Sequence, residues 1–253
     1  MMLTSRNARF AKALSLASAL LFPTFFTFFT FFPPAPARAE PPPKNEGTWG
    51  GFDTAYVAVP VSVGVISIFE IPELNQALTA QGLDTLPRLT VTLNAAITRA
   101  YANGVVVEPH YRFTILNNEE ATVTCHHLLL NAGYLIASRG DVTAYPMIGA
   151  GFGISTLEVA QLNVEGARFD EVLAKPEGDA LLASSVFMLH AGFAANLWGS
   201  GHGDFIGLRT GILFAPTASS WKRRGYTVYG GPPPPIAGGY LALAFGFGAP
   251  FEE

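Results

Sequence analysis

The chain has 253 residues, of which 49% are hydrophobic and only 13% are charged, and its mean hydropathy is +0.31. This composition excludes an intrinsically disordered protein and indicates a large apolar surface that is buried or in contact with lipid. A single cysteine, Cys125, excludes an intrachain disulfide framework. The chain is acidic, with a net charge of −8 once the predicted leader is removed, which argues against nucleic acid as a partner.

Residues 1–39 have the pattern of a cleavable signal peptide. A basic start is followed by the apolar stretch Ala13–Phe32 and by the small-residue exit Ala37-Arg38-Ala39. An uncleaved anchor helix is the alternative, but Pro23 interrupts the apolar stretch. The segment holds 4 of the 15 basic residues and none of the 19 acidic ones, so the remainder has 15 minus 4, or 11, basic residues and a net charge of −8. Residues 40–50 form a Pro-rich linker, predicted to be periplasmic.

Eight segments of the remaining chain alternate bulky apolar residues with small or polar ones. A period of two residues predicts β-strands. Pro60 within the first segment predicts a bulge or a local break in the hydrogen-bond ladder, because proline has no backbone N–H. The predicted strands are residues 55–65, 89–100, 105–116, 123–137, 143–157, 185–198, 205–215 and 239–247.

Short connections alternate with long connections between these segments. Asn103-Gly104 is the strongest hairpin signal, and residues 138–141 and 199–204 are also predicted to be tight turns. Long connections are predicted at 71–87, with a short helix from Pro72 towards Gly82, and in the external loops 158–183 and 219–237. Residues 117–122 are the exception, because they are short where a long loop is expected.

The bulky face of each segment carries almost no charge. A soluble barrel would place Lys and Glu at every second position of its outer face, and these segments lack them. We therefore expect residues such as Val57, Leu93, Phe152 and Leu243 to face hydrocarbon, with the small and polar residues inside. The sequence predicts an all-β protein, an eight-stranded antiparallel up-and-down transmembrane β-barrel within residues 51–253, with both termini of the mature chain in the periplasm.

The leader that ends at Ala39, the eight alternating segments and the last strand GGYLALAFGF resemble the small eight-stranded outer-membrane barrels of the OmpA and OmpX type. The resemblance covers about Gly51 to Phe247. It implies an outer-membrane location among lipids that include lipopolysaccharide, and a C-terminal signal that the barrel-assembly machinery reads at Phe247. In that family the closing aromatic is typically the last residue, whereas this chain continues from Gly248 to Glu253.

Seven polar residues are predicted to point into the lumen. One interpretation is a polar pore or a ligand site, and the other is an internal network of ion pairs and hydrogen bonds that fills a narrow barrel. Eight strands leave room for little more than side chains, so the second interpretation is favoured. The seven residues are Glu108, His110, Arg112, His127, Asn131, His190 and Arg209.

Other candidate sites are less specific. His126 and His127 are adjacent on one strand and point to opposite faces, so they do not indicate a metal site. His126 on the lipid side is compatible with a lipid-modifying enzyme, but Leu128 stands where a nucleophilic serine would be expected. Residues 221–224, with Tyr226 and Tyr229, form a basic and aromatic loop that could bind lipopolysaccharide.

The sequence therefore predicts an integral outer-membrane barrel with a filled polar interior and a structural or surface-interaction role. We identify no catalytic residues, cofactor or metal in it, and we do not expect an enzyme. Two alternatives remain open. One is a lipid-modifying outer-membrane enzyme, and the other is a secreted soluble barrel with the bulky residues inside, around a ligand.

Overall fold

A computed structural model describes residues 55–139, 141–159, 169–170, 180–199, 203–217, 220–223 and 226–251. The predicted signal peptide and the linker lie outside these residues. One helix of at least two turns, α1 (Ile71–Thr79), lies within them. The strands are β1 (Ala55–Ile68), β2 (Leu89–Ala96), β3 (Thr98–Ala100), β4 (Val105–Asn117), β5 (Ala121–Tyr134), β6 (Ala137–Arg139), β7 (Val142–Val159), β8 (Ala180–Trp198), β9 (Asp204–Phe214), β10 (Trp221–Arg223), β11 (Tyr226–Val228) and β12 (Gly238–Phe251).

Eight antiparallel walls form a closed barrel, which confirms the predicted fold class. Around the ring the order is β1, the β2–β3 pair, β4, β5, β7, β8, β9 and β12, so each wall is a neighbour of the next in sequence. The pairing of β12 with β1, from Ala55 with Phe251 to Ile68 with Gly238, closes the ring. Closure leaves no sheet edge along the walls, which is what a strand structure in hydrocarbon requires.

The predicted break in the ladder lies opposite Pro60. β1 pairs with β3 at Tyr56–Ala58 and with β2 from Val61 onwards, in one continuous register. Between them the ladder is interrupted, and Ile97 separates β2 from β3. Proline has no backbone N–H to donate, so the hydrogen bonds between β1 and its partner strand are interrupted here. The register is the same on both sides of the interruption.

The two faces of the wall differ as the alternation predicted. Leu93, Phe152 and Leu243 are 50%, 66% and 53% exposed on the outside of the barrel, and Val57 is half-buried. The inward positions of the same strands are buried, whether they are apolar or polar. The bulky residues therefore do not line the inside of the barrel, which the alternative of a soluble ligand-binding barrel required.

The barrel has two unlike ends. The turn end holds the start of β1, the end of β12 and the tight turns, including the one in which Gly104 has a φ of 87°. There β5 ends at Tyr134 rather than at 137, and a separate short strand, β6, pairs with β7. The helix end holds α1, in the predicted connection, and the short link 118–120 between β4 and β5.

Two predicted loops at the helix end are wrong in their bounds. The hairpin of β7 and β8 continues to the pair Val159 and Ala180, so the connection is shorter than 158–183. Residues 219–237 are not simply a solvated loop: they include the β10–β11 hairpin, and residues 234–237 are buried. Alternation continues past the predicted strand ends, and apolar packing draws the last connection inwards.

The last strand also runs further than predicted. β12 continues past Phe247 to Phe251, paired with the first residues of β1. Residues 248–251 are thus part of the wall. Among the residues that the structure describes, no helix is long and apolar enough to cross a bilayer.

Candidate functional site: the barrel interior

The seven polar residues singled out in the sequence all lie inside the barrel, and each is at most 4% exposed. They belong to four strands, β4, β5, β8 and β9, because each occupies an inward position in the alternation. The structure places six of them in two groups, and the seventh, His127, bonds to the segment that leads into β12. The first group surrounds Glu108, nearer the turn end, and the second surrounds Arg112 in the middle of the barrel.

Glu108 is the centre of the first group. Its Oε2 atom accepts hydrogen bonds from the Thr98 hydroxyl at 2.7 Å and the Tyr145 hydroxyl at 3.0 Å. Its Oε1 atom lies 3.2 Å from Nδ1 of His110, and Nη2 of Arg209 lies 3.7 Å from Oε2. Arg209 also donates to the Tyr145 hydroxyl at 2.7 Å. A buried carboxylate with this many partners stabilises the fold only while all of them remain.

Arg112 belongs to the second group and has no carboxylate partner. Its Nε atom donates to Oδ1 of Asn94 at 2.6 Å, and Asn94 in turn donates to the Ser62 hydroxyl at 2.9 Å. Its guanidinium carbon lies 3.5 Å from the ring centroid of Tyr240, a cation–π contact. Among the described residues, the terminal nitrogens Nη1 and Nη2 have no hydrogen-bond partner of good geometry.

His190 joins Asn131 to Tyr240 across the lumen. Its Nδ1 atom is 2.8 Å from Oδ1 of Asn131, and its Nε2 atom is 3.0 Å from the Tyr240 hydroxyl. Glycines on β7, β8 and β9 make room for these side chains, since a Cβ atom there would lie within 3 Å of Asn131 or His190. These glycines are Gly149, Gly192 and Gly211.

The segment Pro232–Ala237, here called the strap, crosses the lumen at the helix end. It leads into β12, yet it bonds to β5, which is four walls away in a ring of eight and so diametrically opposite. The Cys125 thiol donates to the Pro235 carbonyl oxygen at 2.9 Å, and Nε2 of His127 lies 2.9 Å from the Ile236 carbonyl oxygen. The sequence placed His127 in the lumen but did not indicate this partner.

Glu70, the residue before α1, holds the other side of the strap. Its Oε2 atom accepts hydrogen bonds from the backbone N–H groups of Ile236 at 3.3 Å and Ala237 at 3.2 Å, and the Ala237 carbonyl accepts one from Phe69 at 3.0 Å. Burial raises the pKa of the Glu70 carboxyl above its ordinary value, although the two strap N–H groups oppose this shift and Glu73 adds to it.

Apolar packing fills the rest of the helix end. Helix α1 turns Ile71, Leu74 and Leu78 inwards, and all three are fully buried. They share one core cluster with Ile236 of the strap and with Trp221 of β10, whose indole N–H donates to the Pro232 carbonyl at 2.9 Å. Trp221 was predicted as an exposed loop residue, and that prediction is wrong because its ring is part of this core.

Sequence reasoning missed the strap, Glu70, Tyr145 and Tyr240. The four prolines at 232–235 were a usable signal, since a stiff extended segment followed by Ile and Ala suits a buried crossing. Tyr145 and Tyr240 occupy inward positions of their strands, so alternation placed them in the lumen. Their partners depend on which strands face each other across the barrel, which the pattern does not give.

His126 lies on the outside of the barrel, as the alternation indicated. Its Nδ1 atom is 2.7 Å from the Tyr111 hydroxyl, and its ring also packs against Phe113. Thr124 and Thr156 form a hydroxyl pair beside it on the same face. Within the described ranges, no group of three or more His, Cys, Asp or Glu side chains is placed to hold a metal ion.

Solved structures similar to this chain include small outer-membrane eight-stranded barrels. The attachment invasion locus protein Ail of Yersinia pestis has a TM-score of 0.43 and 11% identity, over 78% of this chain and 100% of that chain. Neisserial surface protein A has a TM-score of 0.45 and 8% identity, over 77% and 99%. The outer membrane protein OprG from Pseudomonas aeruginosa has a TM-score of 0.37 and 12% identity, over 80% and 98%.

The assignment of a barrel to this chain rests on its own strand pairing. No protein-family model matches the chain, and no curated protein matches it in sequence.

Proposed function

We propose that this chain is an integral outer-membrane barrel whose interior is closed to flow, with a structural or surface-interaction role and no catalytic activity. The observation that carries this proposal is the strap, which spans the lumen from β12 to β5 while α1 packs against it. The turn end then faces the periplasm and the helix end faces outwards, because short turns and longer outer connections are usual in such barrels.

The outer apolar belt supports the membrane location. Soluble proteins rarely expose a continuous apolar surface of more than a few hundred Å². Here the outward residues of neighbouring walls are apolar and exposed together. The belt includes Val61, Val63, Leu93, Ile148, Phe152, Ile206, Leu208, Leu241, Leu243 and Phe245.

A heat-modifiability gel on membrane fractions tests the location. We expect the protein to sediment with the outer membrane and to migrate differently in detergent before and after boiling. Recovery in the soluble fraction without detergent, or an unchanged mobility on boiling, would contradict the membrane proposal.

Conductance measurements test the closed interior separately. We expect the purified protein in planar bilayers to give no steady current above that of the bare bilayer, because backbone and apolar side chains occupy the lumen at the strap. Stable single-channel steps in the wild-type protein would show that the lumen conducts, and the membrane location would still stand.

The β10–β11 hairpin is the surface we assign to interaction. Tyr226 and Tyr229 are 81% and 67% exposed, and Lys222 is exposed beside them. Aromatic rings and a cation suit the sugar and phosphate groups of lipopolysaccharide. Arg224 of the same predicted loop lies outside the described residues. A binding assay with purified lipopolysaccharide tests this assignment, with the wild type compared to a double variant, Lys222→Gln and Tyr226→Ser. Equal binding by the two proteins would contradict the assignment.

We also propose that the protein has no lipid-modifying activity. Lipid A from cells with and without the gene should give the same mass spectrum. A loss or gain of one acyl chain would instead favour the enzyme alternative and direct attention to the pair of His126 and Tyr111.

A further inference from the structure

One hydrogen-bonded polar pair lies on the outside of the barrel wall. The hydroxyl of Tyr111 on β4 is 2.7 Å from Nδ1 of His126 on β5, and both side chains are half-buried on the outer face. Three of the outward residues around them are apolar. Phe113 packs on the imidazole with a ring distance of 5.1 Å, and Leu128 and Ile154 are 61% and 48% exposed. The pair therefore places polar atoms next to the apolar belt.

The hydrogen bond indicates which nitrogen of His126 carries the proton. The Tyr111 hydroxyl has no other partner among the described residues, so it donates its hydrogen to Nδ1 of His126. The neutral imidazole is the form expected beside hydrocarbon, and a neutral ring that accepts at Nδ1 carries its hydrogen at Nε2. Among the described residues Nε2 has no hydrogen-bond partner, and the protein does not enclose it. His126 thus presents one N–H donor to the surroundings of the barrel.

The position of His126 along the wall identifies these surroundings. Towards the helix end, the next outward residues of β5 and β7 are Thr124 and Thr156, whose hydroxyls bond to each other. Towards the turn end, Leu128 and Phe152 are strongly exposed and apolar. His126 therefore lies at the border where the apolar belt ends. In a bilayer the headgroup region begins at such a border, and the carbonyl groups of ester-linked acyl chains lie there.

The chemistry around Nε2 suits a single neutral acceptor. Phosphate groups favour a cation or several N–H donors, whereas the ring of His126 offers one N–H and its neighbours Phe113 and Ile154 offer no side-chain donor. One carbonyl oxygen matches one N–H group. A donor without an acceptor at the edge of hydrocarbon is costly, so a lipid carbonyl at this position stabilises the wall.

We propose that His126 binds lipid, with its Nε2–H group donating to the ester carbonyl of an acyl chain in the leaflet at the helix end. Tyr111 is a positioning residue, because it holds the imidazole in the tautomer that donates outwards. The acyl chain below the carbonyl packs on Leu128 and Phe152. This site rests on the proposed membrane location and goes beyond it, since an apolar belt requires no specific lipid contact.

Vesicles with and without ester carbonyls test the site. The protein is folded into phosphatidylcholine vesicles whose chains are ester-linked or ether-linked and of equal length, and the equilibrium constant of folding is measured with urea. The linkage affects every variant, so the readout is the ratio of the two constants. We expect this ratio to be about two- to tenfold larger for the wild type than for His126→Phe, which keeps a ring and removes the donor.

Leu130→Phe, at another exposed outward position of β5, is the control and should keep the wild-type ratio. An equal ratio for the wild type and His126→Phe would overturn the lipid site and leave the membrane location intact, because both proteins would still fold into vesicles. Failure of the wild type to fold into either kind of vesicle would contradict the location and the site together.

NMR of the histidine rings gives a readout that does not depend on stability. In wild-type protein with isotope-labelled histidine, the ring of His126 is identified by its contact with Phe113. We expect its hydrogen on Nε2, with a resonance that moves when ether-linked lipid replaces ester-linked lipid. Tyr111→Phe should give a mixture of tautomers and a smaller lipid dependence. The same Nε2 proton resonance in both lipids would contradict the carbonyl contact.

Ester-linked chains occur in phospholipids and in lipid A, and the same spectra separate these sources. Lipid A added to ether-linked vesicles is the only ester present. Recovery of the resonance seen in ester-linked vesicles would show that lipid A reaches His126, whereas a shift that only ester-linked phosphatidylcholine produces would assign the site to phospholipid.

Discussion

Different interactions stabilise the two halves of the barrel interior. Towards the turn end, the strands themselves supply a polar network in which Glu108 bonds to Thr98 and Tyr145 beside Arg209. Towards the helix end, the walls supply an apolar lining, and the chain between the walls supplies the filling, namely α1 and the strap. One half is specified by inward side chains and the other by two connections that fold back into the lumen.

The two halves differ in which groups lie inside the barrel. Inward side chains of eight strands meet across the lumen in the first half, where aromatic and guanidinium groups reach the centre. In the second half, some inward residues of β5 and β7 are small, such as Cys125 and Ser155, and the strap lies against this part of the wall. The strap brings its own polar groups, and Glu70, Cys125 and His127 satisfy them.

The largest expected effect is in the polar half. Glu108→Ala leaves Arg209 buried without a carboxylate, and breaking a buried pair in this way costs about 3–5 kcal/mol. We expect the free energy of unfolding, measured with urea in lipid vesicles, to fall by that amount. Glu73→Ala, on the exposed side of α1, is the control and should change it little. If Glu108→Ala lowers the free energy of unfolding by less than about 1 kcal/mol, the charges of the interior are screened by water.

The comparison also assumes that both halves lie behind a wall that faces hydrocarbon. Leu243→Arg places a charge on the outside of β12 and should cost about 2–4 kcal/mol in a bilayer if the position is near the midplane. Tyr226→Arg on the exposed hairpin is the control and should fold normally. Folding of Leu243→Arg in vesicles as readily as the wild type would place this face in water.

A smaller effect is expected when the strap is crowded. A Cβ atom on Gly153 would lie 2.5 Å from Cδ1 of Ile236, so Gly153→Val must shift the Ile236 side chain of the strap. Overpacking of this kind costs about 1–3 kcal/mol. We expect lower stability and the appearance of conductance in planar bilayers.

Adding Ile236→Ala to the Gly153→Val variant tests this contact. It removes the colliding side chain, so the double variant should recover part of the stability lost in Gly153→Val. Purely additive losses would show that Gly153 and Ile236 do not compete for the same space.

The smallest effect concerns pH and Glu70. Because its pKa is raised in the folded protein, folding favours the protonated carboxyl. The stabilisation from this group is complete below its unfolded pKa and is lost as pH rises through the folded pKa. We therefore expect the stability of the wild type relative to Glu70→Gln to decrease as the pH rises above 4.5, the ordinary pKa of a glutamate. A difference that is constant with pH, or one that increases, would contradict the raised pKa.

How far the fold followed from sequence is clearest in β7 and β12. Alternation over Ile148, Phe152 and Leu243 predicted strands, their inward and outward faces and the membrane-type arrangement, because a period of two is a local property of the chain. Strand ends were missed by a few residues, since pairing extends β7 to Val159 and β12 to Phe251. The tight turn at Gly104 followed from Asn103-Gly104 for the same local reason.

For the interior, the sequence predicted which residues lie in the lumen but not which of them contact each other. Alternation assigned seven polar side chains to the lumen, and all seven are buried there. Their division into a group around Glu108 and a group around Arg112 was not predictable, because it depends on which walls stand opposite each other. Whether the seven have a binding role stays a prediction.

The sequence by itself determined the strands, their faces and the closed ring, because these depend on neighbours in the chain and on the choice between water and hydrocarbon. Only the tertiary structure decided what fills the ring. Glu70 and Ile236 are 166 residues apart in sequence, and Cys125 and Pro235 are 110 apart. Contacts of that separation form when the barrel closes and brings opposite walls within reach, and no periodicity along the chain records them.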